Sequence, residues 1–442
     1  MDVVLESKPQ TSIDKIESMI DSEDKKNGWL YGVLSSQIAY SPISTIIALY
    51  ILYLHGTVID VSYAFTVSNA VMIPAGILWG KMIDKYARRK MFILISFASL
   101  AISLLSLFFV SNVFYVIAIY GVLSFMFVAS ATPLNLLVME KNHESYWAKG
   151  FSKLQLFASL GGTVGLLVAT IAAGFVHLNY IMLILFAFAA LSVLLTTATI
   201  TEHAAKFTRK SLIGYIYAFR SRLFLVPLFF ARIPRIRIIK EILRKFLSFK
   251  IPRKSQMNLI YTGSLFFYLG SGLFNTVYSA GLKESGMSNF LVFVVILVSM
   301  VVQTTAFYIS GGFTNKRGEV KTISRSLYLR GSSYLLIGAS FVVLSSVGLL
   351  GVNLLLYALA AGIGYALFYT ASNTLLFRAI KTWHPARALG IYSGFTGFST
   401  LIGSLISGYI SFYVGYWFTF SIAGVLVLLS AVAFGEIKKL GS

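Results

Sequence analysis

Apolar stretches of roughly twenty residues recur from one end of this chain to the other, and nothing else in it narrows the possible folds so sharply. A bilayer's hydrocarbon core is about 30 Å thick, and a helix of roughly 20 apolar residues crosses it. A water-soluble domain has no use for so many such runs. The composition agrees, with 57% hydrophobic and 12% charged residues among 442 and a mean hydropathy of +0.79. The chain is therefore read as a polytopic membrane protein and not as a soluble enzyme. It has no cysteine, which removes disulfides, iron–sulfur clusters and thiol catalysis together.

Bounding the apolar runs by charge and turn residues predicts six spans near 29–55, 57–80, 91–110, 112–138, 149–175 and 179–200. Six more follow near 258–283, 288–312, 323–347, 351–378, 388–413 and 415–435. The expected fold class is an all-α membrane protein of twelve transmembrane helices in two pseudo-symmetric six-helix halves, 29–200 and 258–436. Residues 1–28 form a polar tail whose Ile13, Ile16 and Ile20 fit a short amphipathic helix, and residues 437–442 form a second tail. No cleavable signal peptide is read ahead of span 1.

Placing both termini in the cytoplasm assigns 36 of the 37 Lys and Arg to tails and inner loops, the five from Lys316 to Arg330 being counted with the loop between spans 8 and 9, and leaves only Lys283 outside. Cytoplasmic loops concentrate positive charge, and adding or losing one span would scramble the split. The net charge of +21 is thus mainly a topology signal, and no nucleic-acid partner is expected. Trp29, Trp79, Trp147, Trp383 and Trp417 all fall at span ends and read as interface anchors. The linker 201–257 interleaves Arg220, Arg222, Arg232, Arg235, Arg237 and Arg244 with Phe219, Phe224, Phe229 and Phe246. That pattern suits a helix lying on the inner leaflet, either a simple tether or a site for anionic lipid.

The two halves repeat. At an offset of 231 residues Gly80, Lys85 and Lys90 fall on Gly311, Lys316 and Lys321, with Asp84 on Asn315. At 240 residues Ala131, Leu136, Lys141, Ala148 and Gly150 fall on Ala371, Leu376, Lys381, Ala388 and Gly390. Parallel repeats joined by a long loop are a transporter architecture, with the substrate site between the halves near mid-membrane.

The loop after span 2 carries Gly80, Asp84, Lys85, Arg88, Arg89 and Lys90 in the spacing G-x-x-x-D-R/K-x-G-R-R-K, with Ala87 where a second glycine is usual. A degenerate copy after span 8 keeps Gly311, Lys316 and Gly318. In these motifs, over roughly residues 29–436, the chain resembles the major facilitator superfamily. Physically, the glycine admits a close helix crossing, the aspartate suits a helix N-terminus, and an arginine can pair with an acid. The resemblance implies that Asp84 leans on the start of span 11 and that Arg88 pairs with Glu140 at the inner end of span 4. Together these contacts would close the cytoplasmic side.

The spans hold no mid-membrane carboxylate: seven acids lie in the N-terminal tail and the other nine, Asp60 and Glu284 among them, at loops or span ends. The five histidines, His55, His143, His177, His203 and His384, are scattered likewise, so no metal or catalytic cluster and no cofactor is expected. His55 and Asp60 form either an interfacial polar pair or a titrating one. Neutral polar residues fall on stripes instead: Ser264, Tyr268, Ser271, Asn275 and Tyr278 in span 7, Gln37, Tyr40 and Ser44 in span 1, Ser299 and Gln303 in span 8, and Tyr365, Tyr369 and Ser372 in span 10. The resemblance puts spans 1, 4, 7 and 10 around a cavity; the alternative for each residue is hydrogen bonding between helices. Small residues in span 5 (Ser152, Ser159, Gly161, Gly162, Gly165) and span 11 (Ser393, Thr396, Gly397, Gly403, Ser407) read as close-packing faces. The family places these two helices where the halves meet. Pro42, Pro74 and Pro133 would kink the first half only.

These features predict a monomeric, multi-pass transporter in the cell membrane that moves a small organic solute by alternating access. An uncharged cavity suits an amphipathic or neutral solute, and spans 1–3 resemble the drug and metabolite exporter branch. Many proton-driven exporters carry a basic residue in span 4 and an acid in span 1, and both are missing here. Uptake of a sugar or other polar metabolite is the main competitor, and a lipid scramblase or a polytopic receptor could use the same fold.

Overall fold

The computed structural model describes residues 28–86, 88–141, 147–200, 256–380 and 385–440. The tail helix expected at Ile13–Ile20 and the basic linker lie outside these residues. Every regular element among them is helical. Eleven stretches are long and apolar enough to cross a bilayer. The twelfth crossing, Gln256–Glu284, is a 29-residue helix that is less apolar because of the serines, tyrosines and asparagine of its predicted stripe. It is span 7, and it runs through the interior of the second half with most of its length buried.

Equivalent helices pack alike in the two halves. Span 1 packs on spans 5 and 6 and span 7 on spans 11 and 12; span 3 packs on span 6 and span 9 on span 12. The halves meet through span 2 against span 11 and span 5 against span 8, a symmetric pair of seams. One device at the motif end follows the repeat with its charges exchanged. Arg89 at the head of span 3 pairs with Glu140 at the foot of span 4. In the second half Glu319 heads span 9 and Arg378 at the foot of span 10 pairs with it at 2.6 Å. The sequence reading assigned Glu140 to Arg88, but Arg88 lies just ahead of the helix Arg89–Phe109 and is exposed. The first residue of the helix is the one that faces across to span 4.

Two of the three expected prolines fall at breaks in the first half, Pro42 and Pro133, and Pro74 leaves its helix uninterrupted. Span 1 is two helices, Trp29–Tyr40 and Ile43–Tyr53. Pro42 has no N–H to return to the carbonyl of Ile38, and Gly165 of span 5 packs against that carbonyl so tightly that a Cβ would collide with it. Span 4 passes through a 3-10 turn at Val128–Ser130 into Ala131–Lys141, where Pro133 sits in the first turn. Pro74 lies inside the single helix Val58–Tyr86. Span 10 contains no proline yet is also interrupted. Ser346–Tyr357 gives way to a π-helical segment, Ala358–Gly364, before Tyr365–Ile380. Gly362 in that segment lies so close to Val302 of span 8 that a Cβ would stand 2.7 Å from its side chain.

Two tryptophan assignments need correcting. Trp29 and Trp79 are 3% and 6% exposed; both pack inside the first half, Trp79 donating its indole N–H to the Phe125 carbonyl at 2.9 Å. Trp417 is exposed and keeps the position of an interface anchor, while the side chains of Trp147 and Trp383 lie outside the described residues. Asp60 does not pair with His55. Its carboxylate accepts from the backbone N–H of Thr57 at 2.8 Å and from the Thr57 hydroxyl at 2.9 Å, a capping box at the head of span 2.

Candidate functional site

A cavity of about 470 Å³ opens between the halves. Span 7 supplies one wall because its polar stripe is continuous and its opposite face is committed to spans 11 and 12; a Cβ at Gly272 would stand 2.6 Å from the Thr400 carbonyl of span 11. Of the residues singled out from the sequence, Ser44, Tyr268, Ser271, Asn275, Tyr278, Gln303 and Tyr365 line it. Asn275 and Ser44 are exposed within otherwise buried stretches of their helices, so their polar groups face the cavity space. Tyr278 lines it with little free surface: its hydroxyl donates to Asn353 Oδ1 at 2.9 Å, and its ring stacks on Tyr357 at 4.1 Å.

Six residues of the predicted stripes are elsewhere: Gln37, Tyr40 and Tyr369, together with Ser264, Ser299 and Ser372. Gln37 packs against Gly161 of span 5. Tyr40 stacks on Phe127 of span 4 at 3.7 Å, nearly parallel. Tyr369 stands one turn beyond Tyr365, exposed and edge-on to Phe307 at 5.9 Å. The break at Pro42 explains the first two: it turns Ser44 to the cavity and leaves Gln37 and Tyr40 facing their own half.

The largest departure from the sequence reading is Arg330. The loop count puts it with the inner cations between spans 8 and 9, whereas the structure puts it halfway along the helix Glu319–Val343, 2% exposed and in the cavity wall. Its two terminal nitrogens donate to the Ala360 carbonyl at 3.3 Å and to Ser271 Oγ at 3.4 Å. The carbonyl belongs to the π-helical segment of span 10, where the ordinary helical ladder is broken and an acceptor can be shared. Three rings surround the guanidinium, with centroids at 5.1 Å (Phe267), 5.2 Å (Tyr334) and 5.4 Å (Tyr365). Its Nε has no hydrogen-bond partner. No described carboxylate reaches it. The expectation of a cavity without fixed charge is therefore overturned.

The cavity is closed at one end. There Ser62 of span 2 donates to the Ser404 carbonyl of span 11 and accepts from the Gly408 N–H at 3.2 Å, and the Tyr63 and Tyr409 hydroxyls meet. Deeper in, Asn69 donates to Ser404 Oγ at 3.0 Å. On the other seam the Thr163 and Thr304 hydroxyls lie 3.3 Å apart. Toward the Gly80–Lys90 end the seams part among the described residues. Tyr308 is 90% exposed, and Gly311, Gly312 and Gly394 would meet nothing within 4 Å if a Cβ were added. Gly318 serves a turn at φ +80°, a conformation that favours glycine. The side chains of Asp84 and Lys85 and those of residues 385–391 at the start of span 11 lie outside the described residues; Lys316 and Asn315 are exposed. The small residues of spans 5 and 11 divide their work: Gly161, Gly165 and Gly403 seat spans 1 and 7 within each half, and Gly162 and Gly408 touch the other half.

The sequence profile of the Major Facilitator Superfamily matches residues 29–382 and 260–438. A search of curated protein sequences returns no significant match. Among solved structures the chain is similar to the nucleoside transporter NupG, with 15% identity, a TM-score of 0.67, and 94% of this chain and 99% of that one covered. It is also similar to a POT family transporter in complex with a thioalcohol-conjugated peptide (12% identity, TM-score 0.69, 94% and 96% covered). At these identities the likeness is one of fold.

Proposed function

Because the chain belongs to the major facilitator superfamily, and is thus a multi-pass membrane transporter, we propose that it carries a small organic solute by alternating access, with the Gly80–Lys90 end facing the cytoplasm. One observation carries this reading: a cavity between the halves whose seams touch at one end and part at the other. Two packed halves rocking about such a site would expose it to each side in turn. The arrangement is then the inward-open state, and the contacts implied for Asp84 belong to the opposite one. The positive-inside count supports the orientation, since moving Arg330 from loop to membrane leaves the asymmetry intact. Efflux is the direction favoured by the likeness of spans 1–3 to the exporter branch.

Spin labels test the cycle. One cysteine pair would replace Leu156 and Tyr308 near the motif end, another Asn112 and Ser345 at the opposite end, in a chain with no native cysteine. Solute should shorten one distance as it lengthens the other. Two ends that move together, or not at all during measured counterflow, would refute the mechanism. An impermeant label reacting with the Asn112 cysteine in intact cells checks the orientation, and the sidedness of uptake in vesicles checks the direction.

A further inference from the structure

We infer that the cavity takes an organic monoanion whose carboxylate pairs with the guanidinium of Arg330, an assignment that deepens the transporter reading and rests on it. A guanidinium stays charged in a protein, and a buried charge is tolerated when it is paired and hydrogen-bonded. Arg330 is 2% exposed and none of its partners carries opposite charge: two neutral acceptors at 3.3 and 3.4 Å, both near the limit of a hydrogen bond, and three rings at cation–π distance. Its Nε is unpartnered.

A purely structural arginine, clamping the π-helical segment of span 10, would satisfy its donors within the protein and would have no reason to border a cavity. This one borders the space with an N–H still unused. The planar fork of a guanidinium matches a carboxylate in a two-point pairing. The charge count sets the valence, since no second cation lines the cavity among the described residues; a phosphate monoester, carrying about −1.5 to −2 at pH 7, would bring charge that nothing described there balances. Phe65, Tyr268 and Tyr357, part-exposed in the lining, offer ring surface to an apolar or aromatic body, and the Asn275 amide and the Ser44 hydroxyl offer hydrogen bonds to its far end.

Thermal unfolding of the purified protein against matched acids and primary amides tests the assignment: benzoate and benzamide, phenylacetate and phenylacetamide, indole-3-acetate and indole-3-acetamide, all at millimolar concentration in low-chloride buffer. A ligand that binds only the folded state raises its melting temperature. At least one acid should do so, with its amide binding about tenfold more weakly or worse, as expected for losing a charged hydrogen bond. Arg330→Gln should erase that difference and Arg330→Lys should keep part of it; the wild-type comparison stands even if a variant fails to fold. If no acid stabilises more than its amide, or if the preference survives Arg330→Gln, the assignment is overturned. Counterflow of the same probes in proteoliposomes separates the two readings. An acid that binds through Arg330 without counterflow sinks the transporter reading and leaves the anion site, whereas equal counterflow of acid and amide sinks the anion site and leaves transport.

Discussion

Gly408→Ala should tip the transporter out of the state described above without unfolding it. Gly408 sits on the closed end of the cleft, where span 11 crosses span 2. An added Cβ would overlap the Ser62 side chain and stand 2.9 Å from the Val58 carbonyl oxygen, against the roughly 3.5 Å at which such atoms are comfortable. Two backbones and a serine that already bonds to Gly408 N leave little room for relief except separation of the halves at this end. Overpacking of this kind costs about 1–3 kcal/mol. Because the clash lies between halves, the cost falls on the closed-end state alone and shifts the conformational ratio by about 5- to 150-fold. The assay is sided labelling of a single cysteine at Ser44, which faces the cavity. In the parent it should react with an impermeant maleimide from the Gly80–Lys90 side, and in Gly408→Ala from the other. Unchanged sidedness in a well-folded Gly408→Ala protein would refute the claim that this crossing holds the end shut.

The contrast within one half is Gly165→Ala, whose Cβ meets Ile38 backbone atoms at 2.8 Å; it should lower the melting temperature through about 1–2 kcal/mol of overpacking, while Gly311→Ala, with open space around it, should leave stability level or slightly raised, as thermal unfolding will tell. Tyr278→Phe strands the Oδ1 of Asn353, which is fully buried; a loss of about 1–3 kcal/mol is expected in unfolding experiments, with Tyr278→Phe/Asn353→Leu recovering much of it. Exchanging Arg89 and Glu140 to Arg89→Glu/Glu140→Arg copies the charge order of Glu319 and Arg378, so the double variant should transport far closer to wild type than either single one; a double no better than the singles would show that the pair is not a unit. Each single change should cost about 1 kcal/mol or less, as for a partly exposed pair.

Much of this architecture is written in the sequence because bilayer length and charge asymmetry act on whole segments and survive small errors. The span 7 stripe was legible for the same reason: five polar or amphipathic positions at helical spacing cannot all face lipid. What escaped depends on a residue or two. Arg330 follows Lys321 and Arg325 in a run rich in serine, so a count by loops absorbs it even though the predicted span 323–347 contains it; the turn at Gly318 sharpens the signal, since a helix starting at Glu319 carries Arg330 to its middle. Arg88 and Arg89 differ by one residue, and which of them faces span 4 is decided by where the helix begins. The break in span 10 has no proline to announce it, and Ala358–Gly364 reads as an ordinary small-residue run until its packing against span 8 is seen. Gln37 and Tyr40 share a stripe with Ser44 only if span 1 is one straight helix, which Pro42 prevents.

The interruption in span 4 overwinds its helix, and the one in span 10 underwinds its own. A 3-10 turn advances each residue through a larger angle than an α-helix, and a π-helical segment through a smaller one. Beyond Val128–Ser130 and Ala358–Gly364 the two equivalent helices therefore present different faces, although they hold equivalent places in the two repeats. The cavity is lopsided too: among the described residues the first half lends its lining Ser44, Thr45, Phe65 and Asn69, and the rest comes from the second. On the proposed mechanism, selectivity and motion are unequally inherited: one repeat holds most of the cavity's chemistry and the other serves as the surface it swings against, so altering half the molecule would change the substrate and leave the hinge as it is.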